Sequence, residues 1–97
     1  MEEILNQYTN EKKIIMVGSK WCGPCKILLP YFNSFSNMDK YKHIKFIKLD
    51  FDHDLICEEL NINKLPTFIY YNENLEVYRE YAIKDAMNLQ KFINNIN

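Results

Sequence analysis

The chain has 97 residues, 47% hydrophobic and 26% charged, a balance that suits one globular domain over residues 1–97 and excludes a disordered chain. With 12 basic and 13 acidic residues the net charge is −1, so no single-sign field points to nucleic acid as a partner. Three cysteines are too few, and odd in number, for a disulfide-stapled secreted scaffold, and no run of about 18 apolar residues offers a membrane span. The start, Met1-Glu2-Glu3, lacks the basic region of a secretory leader, so a cytoplasmic protein is expected, and a monomer is the expected state. Ile4, Leu5 and Tyr8 have helical spacing, which predicts a short helix over 2–10. Ile14-Ile15-Met16-Val17 is a continuous apolar run, the pattern of a strand covered on both faces. Leu28, Phe32 and Phe35 predict a helix over 23–38, kinked at Pro30. Residues 44–50 read as a second strand, and 54–60 as a short helix with Ile56 and Leu60 on one face. Thr67 to Tyr71 is β-branched and aromatic, hence a third strand. After a turn at Asn72–Asn74, Leu75, Val77 and Tyr81 alternate with Glu76, Tyr78 and Glu80 in a half-exposed fourth strand. Ala86, Leu89, Phe92, Ile93 and Ile96 give a terminal amphipathic helix.

The order is αβαβαββα. The first two strands join through a helix and should be parallel with a right-handed crossover, while the last two form an antiparallel hairpin. The expected fold is α/β: a mixed four-stranded sheet with helices on both faces, strand 44–50 at one edge and strand 75–81 at the other.

The chemistry is concentrated in Trp21-Cys22-Gly23-Pro24-Cys25-Lys26, between an apolar strand and an amphipathic helix. Two sulfurs three positions apart in the first turn of a helix can close a disulfide. The first faces the unpaired N–H groups and the positive end of the helix dipole. Both favour the thiolate, so Cys22 should titrate below the free value of about 8.5 and act as nucleophile. Cys25, one turn in, should be more buried and resolve the mixed disulfide. Pro24 fits a helix start, where its missing N–H costs nothing, and Gly23 leaves the approach to Cys22 open. Structural zinc uses the same spacing, and Cys22, Cys25, His53 and Cys57 can be counted as four ligands. Gly-Pro between cysteines that open a long helix suits a redox turn better.

The hexapeptide resembles, residue for residue, the active site of the thioredoxin family. Pro30 falls where that family kinks the same helix, Leu65-Pro66-Thr67 resembles its Ile-Pro-Thr segment, and Lys48-Leu49-Asp50 resembles the strand between. The likeness covers roughly residues 10 to 97. It implies a thioredoxin-like fold and protein-disulfide reduction by a Cys22/Cys25 cycle. It further implies a cis Pro66 against the disulfide, Leu65 offering its backbone to the bound substrate chain, and Trp21 shielding the site. Disulfide-containing proteins would be the substrates and a flavin-containing thioredoxin reductase the electron source, with no cofactor or metal on this chain.

Several residues depart from the family pattern. Only 20 residues precede Trp21, so the usual N-terminal edge strand is expected to be missing. Asn74 replaces a turn glycine, Ala82 a glycine of the substrate groove, Gly18 a bulky aromatic, and Met16 the buried aspartate behind the cysteines. Lys48, which resembles the lysine near that aspartate, would then favour nearby thiolates. Cys57 reads as a core residue, and His43 and His53 as surface residues. Ala82, Gly18 and Met16 keep in view an electron donor dedicated to one target; a docking module with little catalysis is a second alternative, against which the intact cysteine pair and Pro66 count.

Overall fold

The computed structural model describes residues 11–81 and 83–96. The helix expected over 2–10 and the groove position Ala82 lie outside them. Strand β1 (Lys12–Gly18) is buried from Lys13 onward, as its apolar run requires of a strand with neighbours on both sides. It pairs in parallel with β2 (Ile44–Asp50), placing Met16 opposite Lys48 and Gly18 opposite Asp50. On its other side it runs antiparallel to β3 (Thr67–Asn72), which forms a hairpin with β4 (Leu75–Glu80). Among the described residues the order β2-β1-β3-β4 leaves β2 and β4 at the edges, as read from the sequence.

Helix α1 (Gly23–Ser36) contains Pro30 and ends two residues earlier than its periodicity indicated. A 3-10 turn follows at Asp39–Tyr41, which no spacing announced. Helix α2 is only Ile56–Glu59, shorter than the 54–60 expected. Asp54 belongs instead to the turn before it, where its Oδ2 accepts from the Asp50 amide at 2.6 Å, and Asn61 closes the far end at φ 57°. Helix α3 (Ala86–Asn94) starts at Asp85, whose carboxylate accepts from the Asn88 amide at 2.8 Å.

The period-two alternation of β1 divides the core. Ile14 and Met16 join Leu28, Phe32 and Phe35 of α1 and Leu89, Phe92 and Ile93 of α3 on one face. Ile15 and Val17 join Leu49, Ile56, Cys57 and Leu60 on the other. The first face is aromatic: the Phe32 ring meets Phe46 edge-on at 5.1 Å and Phe68 at 6.1 Å.

The hairpin departs from its sequence pattern. Leu75 and Val77 face solvent, and Tyr78 turns inward to meet the Phe92 ring at 4.9 Å and donate its hydroxyl to the Phe92 carbonyl. A register shift between Tyr70 and Tyr71 accompanies this exchange of faces. The left-handed turn residue is Glu73 (φ 59°), not Asn74. The reason is tertiary: Lys13, fully buried on β1, donates its ammonium to the Glu73 carbonyl, and the Glu73 amide donates to the Glu11 carbonyl at 3.2 Å. Burial lowers the Lys13 pKa, against the opposing attraction of Glu11 and Glu73.

Candidate active site

Because β1 and β2 are parallel, their carboxyl ends emerge side by side, and the Phe51 amide ties them by donating to the Gly18 carbonyl at 2.8 Å. The chain leaving β1 turns through Ser19, whose carbonyl accepts from the Cys22 amide at 3.3 Å. Cys22 has extended backbone geometry at the N-cap of α1, and its sulfur accepts from the Cys25 amide at 3.3 Å. Pro24 lies in the first turn, as a helix start permits. A disulfide joins Cys22 to Cys25 across a Cα separation of 5.3 Å. A side chain at Gly23 would meet open space.

Burial hardly separates the two sulfurs, since Cys22 is 6% and Cys25 3% exposed. Their surroundings do. Cys22 lines a groove of about 440 Å³, together with Trp21, Pro24, Phe51 and the segment Asn63-Lys64-Leu65. Cys25 is not part of that lining and packs against bare backbone instead: a Cβ added at Gly18 would stand 3.1 Å from its Cβ and Sγ. The glycine in place of a bulky aromatic therefore gives the inner sulfur its room. Lys48 Cε lies 3.6 Å from the same point, and the ammonium donates to the Leu49 carbonyl at 3.0 Å. Met16, opposite Lys48 in the sheet, is fully buried in the cluster that holds both cysteines.

Trp21 is 65% exposed, with its indole N–H aimed at both carboxylate oxygens of Asp52, at 2.9 and 3.1 Å. The Leu65–Pro66 peptide bond is cis. Leu65 packs against both core clusters, Pro66 is buried, and Thr67 Oγ1 donates to the Lys64 carbonyl at 2.6 Å, fixing the groove wall. Trp21, Cys22, Pro24 and Leu65 are thus brought to one groove. Sequence reasoning missed Phe51, Asp52, Asn63 and Lys64. Their one available signal was position, since two directly follow the carboxyl end of a parallel strand and two directly precede Leu65-Pro66.

The four-ligand zinc alternative is not assembled, and among the described residues no group of three or more metal-binding side chains converges. Cys57 lies in the cluster on the opposite face, 2% exposed, its thiol 3.9 Å from the Asp50 carbonyl. Burial pushes its pKa up, reinforced by the charges of Asp54 and Asp50. His43 and His53 are exposed, as their sequence positions indicated. Among the described residues no helix is long and apolar enough to cross a membrane.

Comparison with known proteins matches residues 1–95 to the family model described as Thioredoxin. A thioredoxin from Coprinus comatus is 37% identical over 75 residues, covering 74% of this chain and 71% of its own. The thioredoxin of Ovis aries is 28% identical, covering 98% and 89%. The solved structure of Plasmodium falciparum thioredoxin superimposes with a TM-score of 0.85 at 30% identity, over 99% of this chain and 90% of its own.

Proposed function

The chain belongs to the thioredoxin family and is a thiol–disulfide oxidoreductase, and we propose that it reduces protein disulfides with Cys22 as nucleophile and Cys25 as resolving thiol. The observation that carries this division is asymmetric access: Cys22 lines the groove and accepts an amide hydrogen bond from the helix start, while Cys25 faces Gly18.

In the reduced protein the Cys25 N–H and the α1 dipole stabilise the Cys22 thiolate. That thiolate attacks one sulfur of a substrate disulfide. A Cys22–substrate bond forms, the substrate S–S bond breaks, and the departing thiolate takes up a proton from water. Cys25 then gives its proton to solvent and attacks Cys22 Sγ, expelling the second substrate thiolate. The substrate gains two electrons and the protein keeps the Cys22–Cys25 disulfide. Leu65, presented by the cis Pro66, aligns the extended substrate chain through its backbone. Trp21, Gly23 and Pro24 shape the approach to Cys22.

A thioredoxin reductase in the cytoplasm is the electron source in this reading. The test is turnover of insulin disulfides with dithiothreitol, followed by coupling to a thioredoxin reductase. Rapid turnover in both supports a general reductase. Turnover with dithiothreitol alone moves the assignment to a donor dedicated to one target, the reading that Met16 and Gly18 keep open. No turnover in either leaves a docking module and overturns the proposal.

A further inference from the structure

Lys64 is the one charged side chain among the described residues lining the groove beside Cys22; the others are apolar or neutral. It is exposed, and no carboxylate among the described residues pairs with it. Its backbone is held in place, because its carbonyl accepts from Thr67 Oγ1 at 2.6 Å. Two further exposed cations, Lys20 and Lys26, flank the segment Trp21 to Cys25 in the chain. The carboxylates nearby are directed elsewhere. Asp52 holds the Trp21 indole, and with Asp54 and Glu58 it lines an adjoining cavity of about 560 Å³ that shares Phe51 and Asn63 with the groove. The groove is therefore apolar along Trp21, Phe51 and Leu65 and positive at its Lys64 wall.

We propose that Lys64 makes this protein selective for disulfides in polypeptide segments that carry an acidic residue beside the attacked cysteine. The inference rests on the reductase reading and adds the class of substrate. A glutamate or aspartate next to the substrate cystine meets the Lys64 ammonium as the sulfur reaches Cys22. The apolar walls take the neighbouring side chains, and their low polarity reduces solvent screening of the pair. A lysine at that substrate position meets a like charge, while the Asp52 carboxylate beside the groove is engaged by the Trp21 indole. Lys64 in this reading orients the substrate and touches no reacting atom.

The test uses three disulfide-linked peptides of one length that differ only in the residue beside cystine: Glu, Gln or Lys. The fully reduced protein reacts with each, and thiol release gives a second-order rate constant. The expected order is Glu over Gln over Lys, with roughly two- to fivefold per step for a partly exposed pair. The spread should narrow as salt shortens the screening length. Lys64→Gln should flatten the order, and Lys64→Glu should reverse it. The ranking is read within each variant, so a loss of folded protein lowers all three rates together and leaves their order intact. Equal rates for the three peptides with the unmodified protein overturn the proposal while leaving the reductase reading in place. An acidic preference that survives in both Lys64 variants also overturns it and shifts the selection to Lys20 or Lys26. Failure to reduce any peptide overturns the reductase reading and this inference with it.

Discussion

The two faces of the sheet each hold cysteine, under opposite conditions. On the α1 face, Cys22 sits at a helix start, its sulfur accepting an amide hydrogen bond and opening on a groove. On the α2 face, Cys57 sits inside a four-residue helix among Ile15, Val17 and Leu49, beside the carboxylate-bearing turn 50–54. Both are buried by area, at 6% and 2% exposed, so burial does not separate the proposed nucleophile from the core thiol. The local field does: N–H groups and a positive dipole end favour one thiolate, whereas desolvation and two aspartates oppose the other.

The comparison breaks most readily at the disulfide. Cys22→Ser should reduce insulin turnover to background, and Cys25→Ser should accumulate a mixed disulfide that is stable on a non-reducing gel. Identical behaviour of the two variants would remove the distinction between nucleophile and resolving thiol.

Next in size is the packing under that face. Phe32 is 2% exposed between Phe46 and Phe68, so Phe32→Ala should cost about 3–5 kcal/mol in a denaturant melt. A cost below about 1 kcal/mol would mean that the face collapses around the gap.

Met16→Asp sharpens the field argument. It places a carboxylate beneath the disulfide, opposite Lys48, and should cost on the order of 1–3 kcal/mol of stability for a buried polar group. It should also speed the resolving step near neutral pH by accepting the Cys25 proton. A folded variant whose resolution rate is unchanged from pH 6 to 9 would show that proton transfer at this position does not limit turnover.

The smallest effects belong to Cys57. Cys57→Ala should leave reductase activity within about twofold, because the thiol lies on the face opposite the disulfide. Its raised pKa carries a definite sign. Below the ordinary thiol pKa both folded and unfolded chains keep the proton. Above it the unfolded chain ionises first, so stability falls as pH rises toward the folded-state value. Tyr70, Tyr71 and Tyr78, all shifted upward by burial, act in the same direction. Lys13, its pKa lowered by burial, acts in the opposite direction, so the readout is the difference between the two proteins: in unfolding melts from pH 8 to 10, stability should fall less, or rise more, in Cys57→Ala than in the unmodified protein. Equal slopes would mean that Cys57 contributes nothing to the pH dependence.

Where local pattern and tertiary demand agreed, the sequence was legible. The apolar run of β1, the strand β2 and the helix opened by Gly23-Pro24 follow from short-range rules, and the edge positions of β2 and β4 among the described residues follow from connection rules. The pair Cys22 and Cys25 was legible for the same reason, since its reactivity depends on one helical turn. The β4 hairpin was less so. Leu75 and Val77 carry the apolar pattern, but the Tyr78 ring and its hydroxyl partner win the inward face.

By itself, then, the sequence determined the order of elements from β1 onward and the redox pair, because each is specified by residues within a few positions of one another. Only the tertiary structure decided what surrounds that pair. The hydrogen bond from Trp21 to Asp52, the fit of Cys25 against Gly18 and the entry of Lys64 into the groove beside Cys22 join residues 7 to 42 positions apart. No periodicity encodes such pairs. They exist because two parallel strands end at the same rim and a third strand enters beside them, and that meeting sets which charges and which open space the sulfurs encounter.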